Sequence, residues 1–463
     1  MRIVIPITGS RGDVQPFIAL GMGLQTVGHD VCLATHADFS KLIRSRGLDF
    51  FPIEDGARAL HETQTGLRMF NAGKNPFVFI REFVRLREPL LQSLMHACHE
   101  ACRDADVLVI PTTAILLGLT AAENLGLPVV LATLQPTLPT RFLANCLLPP
   151  SPAWLPLGNV YNLLSHYVVA ECFWQLQREA VNRARQEVLG LPPLPFWGLS
   201  PRFFRETPSL HGYSPTVVPK PADWSAKHRL TGYWFLETGK AWQPPAELVR
   251  FLEAGPMPVC VGFGSMPNPN LREATDLVVQ ALARAGQRGI LLTGWGGLGE
   301  VPDHEDIFTL ESAPHDWLFP YTAAVVHHGG AGTTAAALRA GVPSIVVPFM
   351  ADQPFWGRRV FELGAGPKPI PRRELTIERL ADAIRGAASE QGMRTRAAAL
   401  SGQLQAEDGV ARAVEAFQEW HGYSKWNGRH NGSPHTVAGM VRRGQHQPRI
   451  TPITRITQNM NYP

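Results

Sequence analysis

The residues best suited to chemistry form one run, His328-Gly329-Gly330-Ala331-Gly332-Thr333-Thr334. The residues before it, 324–327, read as a strand, and a helix is expected to begin near Thr333. Glycines let a backbone approach a ligand closely, while a helix start offers free N–H groups and the positive end of its dipole to a diphosphate. His328 and Thr333 add side-chain donors. Taken alone, such a turn also suits a nicotinamide or flavin cofactor, or nothing more than tight packing. A second strand-to-helix turn near the start, Gly9-Ser10-Arg11-Gly12-Asp13, carries a carboxylate. Asp is a favoured cap where a helix follows a strand, and the helix expected here starts at Val14.

Other groups with chemical potential read as structure. Asp104-Ala105-Asp106 has the spacing of a manganese site, yet it directly precedes a buried strand at 107–110 and reads as loop and strand start. His96, Cys98, His99 and Cys102 fall within two helical turns, but only Cys98 and Cys102 form a good i, i+4 pair, and no second ligand cluster accompanies them. A packed helix face is expected there, and no metal site. Arg11-Gly12-Asp13 and the sequon at 431–433 carry meaning only in a secreted chain.

The elements that must position these residues alternate. Strands are expected at 2–8, 30–35, 48–53, 107–110 and 129–133, with helical patterns between them, the signature of βαβ units and a parallel sheet. From 135 to 210 the alternation dissolves into Pro-, Trp- and Phe-rich sequence around one long helix at 163–189. This region and the aromatic residues at 70–83 read as the walls of an apolar cleft. A second series begins at 258–263 and repeats the opening strand-Gly-Ser pattern with Gly264-Ser265. Its strands continue at 289–292, 307–310, 324–327 and 344–347. We expect domains at 1–213 and 256–400, a link at 214–255, and a helix at 401–420 that packs back on the first domain.

Bulk properties agree with this α/β reading. A chain of 463 residues with 45% hydrophobic content exceeds one core and implies two. A formal net charge of +4, mixed along the body, argues against nucleic acid and for a small-molecule substrate. The six cysteines lack a framework spacing and no signal peptide is read, so the chain is expected to be cytoplasmic. The most apolar stretch, 106–133, is interrupted by Pro111, Glu123, Asn124 and Pro128, so no membrane span is expected. The end, 421–463, carries Lys425, Arg429, Arg442, Arg443, Arg449 and Arg455 without an acidic residue. It reads as a disordered basic tail, either in weak peripheral contact with anionic membrane or a solvated extension.

The segment at 313–353, APHDWLFPYTAAVVHHGGAGTTAAALRAGVPSIVVPFMADQ, closely resembles the donor-binding signature of the family 1 glycosyltransferases, in the branch of sterol 3-beta-glucosyltransferases and antibiotic glycosyltransferases. GSRGDVQPFIALG at 9–21 resembles the opening motif of that branch. The resemblance implies the GT-B fold, two facing Rossmann-like domains with a nucleotide sugar held mainly by the second and a lipophilic acceptor mainly by the first. UDP-glucose would be the co-substrate, with no required metal. Ser312, Ala313, Pro314 and His315 would frame the uracil; His328, Gly330, Gly332 and Thr333 would hold the diphosphate; Asp352 and Gln353 would bind the sugar hydroxyls. Ser265 resembles the family's phosphate-contacting serine, although a turn residue reads equally well, and Trp295 could line the donor site or the core. Plant members of the wider family place a ribose-binding glutamate near the position of Ala336, so ribose must be held otherwise here, with dTDP-sugars as the alternative donor.

Plant relatives place a catalytic histidine after the first strand, where this chain has Asp13. The resemblance makes Asp13 the base that takes the acceptor proton, against the capping role. An unperturbed Asp, with a pKa near 3.9, is a poor base at pH 7, so burial must raise it. His29 and His36 read as sheet-end residues. The expected reaction inverts the anomeric carbon. Rivals are a GT-B sugar-nucleotide epimerase, which needs no apolar acceptor cleft, and a catalytically silent lipid-binding relative, which need not keep Asp13 and His328. A nicotinamide oxidoreductase would call for Gly-x-Gly-x-x-Gly, absent after either first strand.

Overall fold

In the computed structural model the β-branched runs become two parallel sheets. The structure describes residues 1–422, except 55–74, 153, 155, 239–241, 265–269, 295–297, 300, 302–303 and the side chains of 421–422. Ser265, Trp295, Phe70 and the basic tail lie outside the described residues.

The first sheet has seven strands: β1 (Arg2–Pro6), β2 (Asp30–His36), β3 (Asp49–Glu54), β4 (Val107–Pro111), β5 (Val129–Thr133), β6 (Ser209–His211) and β7 (His228–Leu230). Their order is β3-β2-β1-β4-β5-β6-β7. The chain thus winds outward from β1 and returns to its other side at β4, which opens a crevice beyond the carboxyl ends of β1 and β4 where such sheets bind ligands. Ile3 and Ile5 pack on one face of β1, with Val107, Val109 and the helix Arg11–Thr26. Val4 turns to the other face, with Leu108, Leu94, Cys98 and Cys102. Each fully buried Ile or Val is worth about 1.5–3 kcal/mol over its exposed form. The two cysteines are therefore core residues of the helix Leu91–Cys102, as the packed-face reading expects. Asp106 accepts from the backbone N–H of Arg2 at 2.8 Å and ties the start of β4 to β1.

The second sheet repeats the plan with β8 (Val259–Gly262), β9 (Gly289–Leu292), β10 (Ile307–Leu310), β11 (Ala324–His327) and β12 (Ser344–Val346), in the order β10-β9-β8-β11-β12. Its crevice lies between β8 and β11, whose register pairs His327 with Gly262. The turns after β1 and β11 therefore both stand at the switch points of their sheets.

The chain also links the two units twice. Residues 214–255, read as a link, supply β7 to the first sheet before crossing to the second. At the end, the helix Gly409–Gly422 returns and puts Ala413, Val414 and Phe417 into the core of the first unit. Gly23 permits that approach, because a Cβ there would lie 2.4 Å from Val410 Cγ1. Among the described residues no helix is long and apolar enough to cross a membrane.

Candidate active site

The helix after β1 begins earlier than its apolar spacing suggests, at Arg11 rather than Val14, because Ser10 takes the cap position. Asp13 is then the third residue of the helix. Its Oδ2 accepts from the backbone N–H of Ser10 at 2.8 Å and from the Ser10 hydroxyl at 3.1 Å, closing a capping box. Gly9, at φ +138°, leaves room for this, since a Cβ there would sit 2.4 Å from Asp13 Oδ2. Asp13 therefore does cap the helix, reciprocally. Burial pushes its carboxyl pKa upward, against the Ser10 hydrogen bonds and the nearby His36 and Arg87. His36 is a neighbour rather than a distant sheet-end residue: its Nε2 accepts from Gly9 N–H at 3.0 Å, and it is 2% exposed. The signal that could have found it is the parallel pairing of β1 with β2, which ends the two strands side by side. His29 instead packs edge-on against Phe417.

The turn after β11 has Gly329 at φ +89°, where a Cβ would lie 2.6 Å from Val346 Cγ1. Gly330 caps the helix Ala331–Ala340, which starts two residues before the expected Thr333. Its first backbone bond runs from Thr334 N–H to Gly330, so the N–H groups of Ala331, Gly332 and Thr333 precede the ladder. A Cβ on Gly332 would meet no protein atom within 4 Å, so this glycine is not demanded by packing. His328 Nδ1 and Thr334 Oγ1 are buried without a hydrogen-bond partner among the described residues. Burial, with His315 nearby, lowers the His328 pKa to about 4, and burial together with the Arg11 charge does the same to His315. Both rings are neutral at pH 7. His328, which lines the cavity, and the free N–H groups fit an anionic ligand without placing a second charge in a low-dielectric site, whereas Thr334 is fully buried beneath them.

After β12, Ala351 holds φ +53°, a backbone conformation that non-glycine residues rarely adopt. Asp352 follows and caps the helix Gln353–Glu362 through its backbone. Its Oδ2 accepts from Trp356 Nε1 at 2.8 Å. Burial raises its pKa to about 6, and Asp13 adds to the rise. Gln353 is 4% exposed, and its Oε1 accepts from the N–H groups of Phe349 at 2.8 Å and Met350 at 3.1 Å. Its carbonyl oxygen is thus committed to the loop that presents Asp352, a role its spacing does not reveal.

A cavity of about 1540 Å³ joins these parts. Asp13, Ser312, Ala313, Pro314, His315, His328, Gly330, Gly332, Thr333, Asp352 and Gln353 all line it, as does His36. Ala336 lines it as well; one turn further, Arg339 does too, with its guanidinium 2.7 Å from Glu237. Much of the remaining wall is apolar, although Lys41, Arg46, Arg87 and Glu171 also line it. Asn75 caps the helix Pro76–Arg87 by accepting from Phe77 and Val78 N–H, and that helix turns Phe79, Phe83 and Leu86 to the cavity. The long helix Gly158–Leu189 supplies Val169, Phe173 and Trp174. The cleft walls read at 70–83 and 136–197 thus contribute from residue 79 onward. One continuous space carries polar donors and two carboxylates at one end and aromatic and aliphatic side chains at the other. That arrangement can hold a phosphorylated donor against the hydroxyl of an apolar molecule.

Comparison with known proteins agrees with this division. The model for the glycosyltransferase family 28 N-terminal domain matches residues 3–144, and that for the erythromycin biosynthesis protein CIII-like C-terminal domain matches 294–417. Among solved structures, the glycotransferase of kitacinnamycin superposes with a TM-score of 0.63 at 18% identity, covering 90% of this chain and 98% of that one. The glycosyltransferase VinC in complex with DTDP gives 0.61 at 21%, covering 90% and 99%. The two facing parallel-sheet units are the GT-B fold. Two sterol 3-beta-glucosyltransferases of Arabidopsis thaliana are 39% and 38% identical over 90% of this chain, which spans 65% and 68% of their lengths. One from Aspergillus fumigatus is 36% identical over 92% of this chain, which spans 30% of it. The chain belongs to the glycosyltransferase family that contains these sterol 3-beta-glucosyltransferases.

Proposed function

We propose that this protein transfers glucose from UDP-glucose to a hydroxyl of a lipophilic acceptor, with inversion at the anomeric carbon. The observation that carries the proposal is the single cavity with a phosphate-suited turn at one end, an apolar chamber at the other and Asp13 lining it. Asp13 Oδ2 is held by Ser10, so Oδ1 is the oxygen that takes the proton. As the acceptor oxygen attacks the anomeric carbon, its proton passes to Asp13, the bond from sugar to diphosphate breaks, and the electron pair leaves with UDP. The N–H groups of Ala331, Gly332 and Thr333 and a neutral His328 stabilise the departing anion, a task that needs no metal in this reading. Ser312, Ala313, Pro314 and His315 frame the base, and Asp352 and Gln353 position the sugar.

The glucosyl group and a sterol acceptor are inferred from the Arabidopsis and Aspergillus sterol 3-beta-glucosyltransferases; UDP follows from the resemblance of the 313–353 segment, and triterpenoids, polyketides and hydroxylated fatty acids are further acceptor classes that suit an apolar chamber. Incubation with UDP-glucose and that panel, with and without a chelator, read by mass spectrometry, tests the reading. Product carrying one added hexose in the presence of chelator supports it; a requirement for added metal, or preference for a dTDP-sugar, overturns that part. A donor converted to another sugar nucleotide without acceptor would favour the epimerase. We place the protein in the cytoplasm, with the basic tail in weak contact with anionic membrane; tail truncation with lipid cosedimentation tests that contact.

A further inference from the structure

The long helix that walls the acceptor chamber has a second face. Residues 142–170 contain no Asp, Glu, Lys or Arg. Within that run Leu157, Val160, Leu164 and Val168 recur every three or four residues, and they are 62%, 41%, 53% and 44% exposed, with Trp154 at 80%. The opposite face buries Ser165, His166 and Val169 and reaches the cavity through His166 and Val169. Helical rise makes the exposed stripe about 16 Å long. The same helix also reaches the rim of the cavity: Ala170, half a turn round the helix from Val168, is exposed and lines it, as does Trp197, 73% exposed, from outside the helix.

We infer that this face, Trp154 with the outer stripe of the helix Gly158–Leu189, seats on a lipid bilayer at the mouth of the acceptor chamber, so that the acceptor enters from the lipid. The inference rests on the acceptor being lipophilic. Exposed apolar patches of this kind mark interaction sites. A protein partner ordinarily fixes register through charges, which a run without charged residues does not supply. A bilayer needs no such register, and exposed tryptophans suit its interface. Since no described helix is apolar enough to span, the face lies on the membrane.

The test uses the full chain and vesicles of phosphatidylcholine, which are neutral and give the basic tail nothing to hold. Binding by cosedimentation should persist in 0.5 M salt, where the Debye length falls to about 4 Å and charge attraction is screened. Leu164→Gln with Val168→Gln should weaken it by at least about tenfold, the loss expected from two apolar side chains, while the stabilisation by UDP is unchanged. A second readout does not depend on that variant: brominated phosphatidylcholine should quench the fluorescence of the parent protein more than that of Trp154→Phe. Binding that vanishes in salt and returns only with anionic lipid would assign contact to the tail and overturn the proposal. So would equal quenching, equal binding by the variant, or a dimer that the variant dissociates, which would make the face a contact between copies. Transfer separates the two readings. The variant should lose glucosylation of a sterol in vesicles yet keep it for the same sterol in detergent; vesicle binding without transfer in either medium would keep the docking face and sink the acceptor assignment.

Discussion

Asp13, in the first turn after β1, and Asp352, in the turn after β12, line one cavity from opposite domains, and the charge of Asp13 helps to raise the pKa of Asp352. Among the described residues neither carboxylate has a basic side chain hydrogen-bonded to it; Asp13 accepts from Ser10 and Asp352 from Trp356. Burial is the largest cause of both upward shifts. On the proposed function, two neighbouring buried carboxylates are expected to influence one another's titration.

The coupling predicts a pH profile. Transfer efficiency should fall on the acid side as Asp13 gains a proton, at a pH above the ordinary carboxylate range because burial raises it. Asp352→Asn removes a neighbouring negative charge, so the limb of the residual activity should move to lower pH. An unmoved limb in kcat/KM would show that the two groups titrate independently.

His328 tests the diphosphate site. UDP-glucose should raise the melting temperature without added metal, because a ligand that binds only the folded state stabilises it. His328→Ala should remove most of that shift while leaving the unliganded protein no less stable, since the orphaned Nδ1 contributes no internal hydrogen bond among the described residues. Full stabilisation of the variant by UDP-glucose would place the diphosphate elsewhere.

Much of this was legible in the sequence because parallel sheets write their strands as uninterrupted apolar runs. The strands at 107–110, 289–292, 307–310 and 324–327 match β4, β9, β10 and β11 to within a residue. Short edge strands carry no such signal: Ser209–His211 and His228–Leu230 have three residues each, two of them polar, and are strands only because β5 offers an edge to the first and the first then offers one to the second. The helix starts were misread for a similar reason. Apolar periodicity begins at Val14, but the ladder begins where Ser10 and Asp13 satisfy one another, three residues before. The place of Asp13 and Asp352 beside one cavity followed from their motifs, whereas Gln353 holding Phe349 and Met350, and His36 beside Gly9, depend on contacts that spacing does not encode.

Asp352 and Gln353 should separate function from stability. Asp352 ionises with a folded pKa of about 6 against an ordinary 3.8, so its burial stabilises the fold less as pH rises from about 4 through 6. Asp352→Asn should therefore slow glucose transfer strongly yet raise stability at pH 8 by about 1–3 kcal/mol, with the gain vanishing near pH 4. Gln353→Ala should slow transfer and also destabilise, by about 1–3 kcal/mol at all pH values, because two buried N–H groups lose their acceptor. Denaturant melts at pH 4 and pH 8 beside UDP binding would check both; loss of UDP affinity equal to the loss of transfer would move the pair away from the sugar.

Asp13→Asn distinguishes capping, which the structure gives to Oδ2, from the proton transfer we propose for Oδ1. The cap needs an acceptor toward Ser10 N–H and Oγ, now supplied by Oδ2 at 2.8 and 3.1 Å. An asparagine carbonyl can accept both, so the helix Arg11–Thr26 should keep its start and the melting temperature should change little. The amide cannot take a proton from an acceptor hydroxyl, whose pKa lies far above neutrality. Transfer should then fall by at least about a hundredfold, the lower range for a positioned base, with UDP-glucose binding retained. Asp13→Ala provides the contrast: it removes base and cap together, so it should lose transfer to a similar degree and stability by about 1 kcal/mol besides. If Asp13→Asn transfers glucose within a few-fold of the parent protein, the carboxylate serves the helix alone, and His36, buried against Gly9 and lining the same cavity, becomes the group to test for the proton.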